Sequence, residues 1–435
     1  MIQSSHFTNA PHFANAPHCS ASSDSLIESL QKAIRGEGLD GWFFCNFRHR
    51  DKLSDEILRI PDSTNSRFWF YAVPAAGKPL KIIHSVEPNA LETLPGDKVF
   101  YVSRQELEKA LKPLSEKSWG VHSSEELAAV SYLDAGTAAV LKNAGLKLVS
   151  AASLIQRVRS LLDEEGIASH ERAAVHLYEI VQIAWEFVRK CYRDEKPLFE
   201  GDVQRLMNAE MEKRQLVFEH DLMVAAGPNS GNPHYNIVNS GAQIKKGDIV
   251  QFDIWAKEKH KDAVYADISW AGVYAEKIPP EAEKIFTAVM AAREGALAFI
   301  QAVLETRLPG TSPAAAAKTP PAEAVPAPEG TKLTGAAVDQ HTRNIIFKSG
   351  YGEGLKHRTG HGIDTEIHGS GVNIDSVEFP DSRKILEGSC FSIEPGLYFP
   401  EYGMRTEIDV YVRNGRPCVS GNPHKRQYIL LNCAG

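Results

Sequence analysis

The sequence predicts an α/β protein of two units: strands alternating with helices over residues 25–158, then a mixed α+β unit over residues 159–435. Three observations predict it. Short apolar runs separated by turn residues alternate with helix-periodic stretches through the first unit. A long amphipathic stretch at 153–192 then links the halves. Beyond it strand-like apolar runs return, several interrupted by a single carboxylate.

With 435 residues the chain can build two or three cores, and 43% apolar with 24% charged residues fits a soluble globular protein. A net charge of −7 supplies no basic footprint for nucleic acid or an anionic membrane. No apolar run reads as long enough to span a bilayer. Residues 1–24 lack the basic start and apolar centre of a secretory signal. They read as a flexible leader whose His6, His12 and His18 are solvated. Cys19, Cys45, Cys191, Cys390, Cys418 and Cys433 are scattered without a CxxC pair. That favours free thiols in a reducing cytoplasm over a disulfide framework.

In chain order, helical periodicity opens at Ser25 and stops near Gly36. Residues 41–46, 66–73 and 81–86 read as short strands, the last two joined by a Pro/Gly turn. A strand from Lys98, a helix at 104–111 and a strand at 119–123 follow, which favours a partly parallel sheet with helices on its faces. Asp51 and His84 read as ordinary polar residues of this unit. The 153–192 stretch is read as one helix. Strands are expected at 222–227, 248–256 and 265–273. Pro280 opens a helix running to about residue 304, proline being favoured in a first turn. The Pro/Ala-rich segment 309–330 reads as an exposed insertion. A helix at 335–348 is closed by Gly350, and strands at 389–394, 396–399 and 404–412 finish the chain.

Chemistry concentrates in the second unit. Asp253, Asp267, Glu394 and Glu407 each lie in or beside an apolar strand-like run. A carboxylate in a strand core is unfavourable unless it is paired or meets a cation. Arg405 alone cannot satisfy four. Nearby, residues 357–368 hold His357, His361 and His368, with glycines on both sides of His361. Imidazole is a common ligand for transition metals, and glycine permits close backbone approach. Two divalent cations would neutralise the four carboxylates, and the neutral imidazole of His361 would complete the shell. Such a pair can lower the pKa of a bridging water and steady an oxyanion. The oxygen-rich donor set suits Mn²⁺, with Co²⁺ or Zn²⁺ as alternatives.

These residues carry a resemblance. Asp253 in Phe252-Asp253-Ile254-Trp255, Asp267 in Ala266-Asp267-Ile268, His361 in Thr359-Gly360-His361-Gly362, Glu394 in Ser392-Ile393-Glu394-Pro395 and Glu407 in Arg405-Thr406-Glu407-Ile408 resemble, in order, the metal-ligand motifs of the pita-bread metallopeptidases. The resemblance runs from about residue 160 to the C-terminus. The preceding unit looks like the N-terminal domain of aminopeptidase P and prolidase. It implies a creatinase/prolidase-like α/β domain at 25–158 and a pita-bread catalytic domain at 159–435. It implies cleavage of Xaa-Pro peptides by a cytosolic homodimer.

By position, the resemblance implies that Asp253 holds one metal, that His361 and Glu394 hold the other, and that Asp267 and Glu407 bridge. Glu394 would also accept the proton of the bridging water. His234 and His368 match substrate- and intermediate-binding histidines, and His357 matches one lining the proline pocket. Arg405 matches an arginine that orients Glu407 or meets the substrate carboxylate. Trp255 and Tyr235 are left to packing. Two features depart from the family pattern: many relatives have Ala-Gly where this chain has Ile254-Trp255, and the Pro/Ala-rich insertion is atypical. The same scaffold also serves metal-free creatinases, organophosphate hydrolysis and non-catalytic peptide-binding relatives. Whether the substrate is a dipeptide or longer is left open.

Overall fold

The computed structural model describes residues 23–63, 65–306, 330, 332–421 and 430–434. Residues 1–22 of the leader, with its histidines, and the Pro/Ala-rich insertion apart from Gly330 lie outside the described residues, whereas Ser23 and Asp24, read as the end of the leader, belong to the first helix.

The first unit contains α1 (Ser23–Gly36), β1 (Gly41–Asn46), α2 (Lys52–Leu58), β2 (Trp69–Pro74), β3 (Leu80–His84), β4 (Asp97–Tyr101), α3 (Arg104–Leu111), β5 (Ser118–Val121), α4 (Ala135–Asn143), β6 (Lys147–Ser150) and α5 (Ala152–Ile155). The six strands form one mixed sheet in the order β4-β3-β2-β1-β5-β6. The pairs β3–β4, β1–β5 and β5–β6 are parallel, and β1–β2 and β2–β3 antiparallel. Alternate side chains of each strand face opposite ways. Two apolar layers result: Trp42, Phe44 and Tyr71 pack with α1 and α2 on one face, and Phe43, Phe70 and Trp119 pack with α3 on the other. Asp51, read as ordinary, is a buried N-cap of α2 that also pairs with His122 Nδ1 at 2.7 Å.

The expected single helix at 153–192 is two. After α5 the chain makes a π turn, Gln156–Ser160, and Leu161 is extended. Then α6 (Glu164–Arg193) begins, its first turn capped by the Asp163 carboxylate, which accepts from Gly166 N at 2.9 Å. An Asp cap is the physical reason for a fresh start inside an otherwise periodic stretch.

The rest comprises α7 (Glu200–Lys213), β7 (Leu216–Val217), β8 (Met223–Ala226), β9 (Ile249–Glu258), β10 (Ala266–Val273), α8 (Pro280–Glu305), α9 (Gly335–Lys348), β11 (Cys390–Ile393), β12 (Gly396–Tyr398), β13 (Gly403–Arg405), β14 (Ile408–Arg413) and β15 (Arg416–Val419). β9 is the centre, antiparallel to β7, β8 and β10. α6 lies across β9 and β10, and Trp185 presses so close that a Cβ on Gly272 would sit 2.3 Å from its ring. The strand expected at 404–412 breaks at Thr406–Glu407: β13 pairs with β12, whereas β14 pairs with β11 and β15. Contrary to the sequence reading, α8 is long and apolar enough to cross a membrane by composition, but half of that stretch is buried in the protein. Its Arg293 is fully buried and donates to Thr406 Oγ1 at 2.6 Å.

Candidate metal centre

The site grows from the register of β9 and β10. Asp253 stands opposite Ser269, and Asp267 opposite Trp255, so all four side chains share one face of the ribbon. Glu407 occupies the gap between β13 and β14, where its N–H donates to Ser269 O at 3.2 Å. Glu394 follows β11, and its N–H donates to Thr359 O at 2.7 Å. His361 is clamped along β11: Ser392 N donates to His361 O at 2.9 Å, and Ile363 N to Cys390 O at 2.9 Å. The crossing is tight enough to demand glycine, since a Cβ on Gly360 would lie 2.0 Å from Ser392 O.

Five residues from five parts of the chain therefore converge. His361 Nε2 lies 3.4 Å from Asp267 Oδ2 and 3.6 Å from Glu394 Oε1. Donor atoms of Asp267, His361 and Glu407 all lie within 4.8 Å of one another. Asp267 Oδ1 and Glu407 Oε1 are buried and accept no hydrogen bond. Burial, with the charges of Asp253 and Glu394, pushes the Asp267 carboxyl well above the usual range. Burial and Asp267 do the same to Glu407. Burial alone would raise Glu394 too, but Arg405, His361 and His357 outweigh it and hold that carboxyl low. His361 is pushed down by burial and stays neutral. Orphaned buried oxygens beside a neutral imidazole are the donor set a divalent cation requires, and the residues fit one.

All nine residues singled out in the sequence line one cavity of about 500 Å³: Asp253, Asp267, His361, Glu394, Glu407, His234, His357, His368 and Arg405. The His361 and His368 rings are 4.4 Å apart, and His361, then burial, lowers His368 to about 4. His357 Nε2 lies 2.9 Å from the Tyr398 hydroxyl. Arg405 is fully engaged: it pairs with Asp253, donates from Nε to Ser269 Oγ at 2.9 Å and stands 3.5 Å from Glu394 Oε2. Trp255, left to packing by the sequence, also lines the cavity because it sits opposite Asp267. Tyr235 instead donates to Glu200 at 2.8 Å.

Sequence reasoning missed the supports. Ser269 Oγ lies 2.6 Å from Asp253 Oδ1 and 2.8 Å from Glu407 Oε2. Asp339 on α9 accepts from Thr359 N and Oγ1 at 2.9 and 2.5 Å, pinning the segment that carries His361. Asp409 Oδ2 accepts from Asp267 N at 2.7 Å. The alternation of β14 places Asp409 two residues after Glu407, which was the one readable signal.

Fold and site together define a metallopeptidase. The profile of Metallopeptidase family M24 matches residues 169–319 and 323–414, and the chain belongs to that family. An Xaa-Pro dipeptidase of Lactobacillus helveticus is 26% identical over 256 residues, covering 59% of this chain and 58% of that protein. The chain thus matches about three fifths of the length of such curated relatives. Dipeptidase PepE of Mycobacterium ulcerans superposes with a TM-score of 0.64 at 20% identity, covering 94% of this chain and 98% of that one. The N-terminal domain of FACT complex subunit SPT16 from chickpea superposes at 0.58 and 11% identity, over 92% and 96% of the two chains. The fold alone therefore does not fix an activity.

Proposed function

We propose that the chain is a two-metal peptidase that hydrolyses the bond preceding proline. The observation that carries this is the convergence of five donors in one cavity with two buried carboxylate oxygens left without partners. Asp253 would hold one ion, His361 and Glu394 the other, and Asp267 and Glu407 both. Bound there, two divalent cations would acidify a shared water and polarise the scissile carbonyl.

The protein's own groups supply the remaining steps. Glu394, held ionised by Arg405 and its neighbours, accepts the proton of the attacking water. It returns that proton to the proline nitrogen as the C–N bond breaks. His234 and His368 face the substrate carbonyl from the cavity wall, and neutral His368 donates a hydrogen bond to the tetrahedral oxyanion. His357, neutral through burial, lines the proline side with Tyr398. Proline preference draws support from the Lactobacillus helveticus relative's name and from this wall of histidines.

Mn²⁺ is the ion of choice because four of five donors are carboxylates. The free thiols of Cys45, Cys191, Cys390, Cys418 and Cys433 support a cytoplasmic setting. Exposed Val86, Val99, Phe100 and Val102 along the β4 edge support a homodimer. The test is hydrolysis of Ala-Pro against Ala-Ala with Mn²⁺, before and after chelation. Proline-selective cleavage abolished by chelator is the result expected; Ala-Pro cleavage that survives exhaustive chelation refutes the reading.

A further inference from the structure

Glu200 opens α7, and its side chain is fully buried. A buried carboxylate is unfavourable unless its charge is met. Among the described residues it is met by neutral donors rather than by a cation. Oε1 accepts from Ala226 N at 2.8 Å and Asn229 Nδ2 at 3.0 Å. Oε2 accepts from the Tyr235 hydroxyl at 2.8 Å and Ala242 N at 2.7 Å. Bonds to an ionised acceptor are roughly twice as strong as those between neutral groups, and the positive end of α7 adds to them.

All of those donors belong to one segment. Residues 226–242 leave β8, pass His234 and return to α7, where Glu200 N donates to Ala242 O and Gly201 N to Ser240 O, both at 3.0 Å. The segment bends at Gly227 and Gly241, both at positive φ, and a Cβ on Gly241 would lie 2.7 Å from Glu200 Oε2. Residues 232–242 form neither helix nor strand. His234 stands exposed on the cavity wall, so no packed core fixes its ring and the backbone must aim it. That backbone is tied at Asn229 and Tyr235 to Glu200, and at Ser230 to β13, where Gly403 N donates to Ser230 Oγ at 2.9 Å.

We propose that Glu200 is the positioning residue for His234: from outside the cavity its carboxylate holds the segment that aims the imidazole at the scissile carbonyl. Glu200 itself touches no substrate and no metal ligand. The assignment rests on the role given to His234 in the Xaa-Pro reading above. In Glu200→Gln one of the two oxygens becomes an NH₂ group. Whichever way the amide turns, a backbone N–H, that of Ala226 or that of Ala242, then faces a donor instead of an acceptor. The segment loosens on the side that carries His234, while the ligands on β9, β10 and β11 keep their places.

The experiment is a double-mutant cycle on the Mn²⁺-loaded full chain with Ala-Pro as substrate: wild type, Glu200→Gln, His234→Ala and the two together. Glu200→Gln should keep its metal and lower kcat by about ten- to a hundredfold with KM within about threefold, as a misaimed contact to the transition state does. In the His234→Ala background the same change should cost less than about threefold, because the group it aims is gone. Amide hydrogen exchange at Ala226 or Ala242 should speed up in metal-free Glu200→Gln. Tyr235→Phe removes one of the same bonds and carries the cycle if Glu200→Gln does not fold. Equal losses in both backgrounds, exchange that stays slow at both amides, activity lost in step with metal, or full activity in His234→Ala overturns the role of Glu200 and leaves the Xaa-Pro reading standing. Absence of Ala-Pro cleavage by the wild type overturns both.

Discussion

Ser269 has one hydroxyl proton and two carboxylates, Asp253 and Glu407, within reach of it, while its oxygen accepts from Arg405 Nε. It orients donors without being one. Groups that orient ligands typically tune metal affinity by ten- to a hundredfold. Ser269→Ala should therefore weaken metal binding by about that factor while the fold survives, as a calorimetric titration of the variant would show. Asp267→Asn should act differently. It removes a donor shared by both proposed ions, so metal analysis should find no more than one ion per chain. The same change relieves a buried carboxylate crowded by Asp253 and Glu394, so the metal-free variant should melt no lower than the wild type. Two ions retained in Asp267→Asn would refute its bridging role.

Single elements explain what the sequence hid. The ligands were legible because a carboxylate in an apolar strand needs a reason, and four such positions with one flanked imidazole admit few reasons. Ser269, Asp339 and Arg159 gave no comparable signal, since serine, aspartate and arginine serve many roles and their partners lie far away in sequence. Arg159 shows this best. From the π turn between α5 and α6 it donates to Glu56 of α2 at 2.9 Å and to Ser370 Oγ at 2.8 Å. It also contacts Asp364 and Glu366, three and five residues past His361. One guanidinium thus ties the first unit to the loop carrying His368. Arg159→Met leaves Asp364 buried without its cation and should lower stability by about 3–5 kcal/mol in urea unfolding. The helix break at 161–163 was equally hidden, because Asp163 reads as one more polar residue until its cap is seen.

At the scale of the molecule, metal-free protein should be sensitive to pH in both directions. His170 and His361 are buried and held below the ordinary histidine value near 6.5. In the window beneath that value the unfolded chain binds more protons than the folded one. Their contribution is therefore complete above about pH 6.5 and is lost as pH falls toward their folded values. Asp267 and Glu407 work in the opposite sense. Their carboxyls are raised in the fold, so the folded chain holds more protons, and stability falls as pH rises through the window above the ordinary carboxyl range. Divalent cations replace those protons. The gain in melting temperature on adding Mn²⁺ should accordingly be larger at pH 8 than at pH 6, and an equal gain would contradict the linkage. The most direct test of the whole account is a calorimetric titration of chelated, full-length protein with Mn²⁺ at pH 8. Two equivalents bound per chain, with Ala-Pro hydrolysis returning as they bind, is the predicted result; a chain that takes up no Mn²⁺, or that cleaves Ala-Pro before any is added, would contradict it.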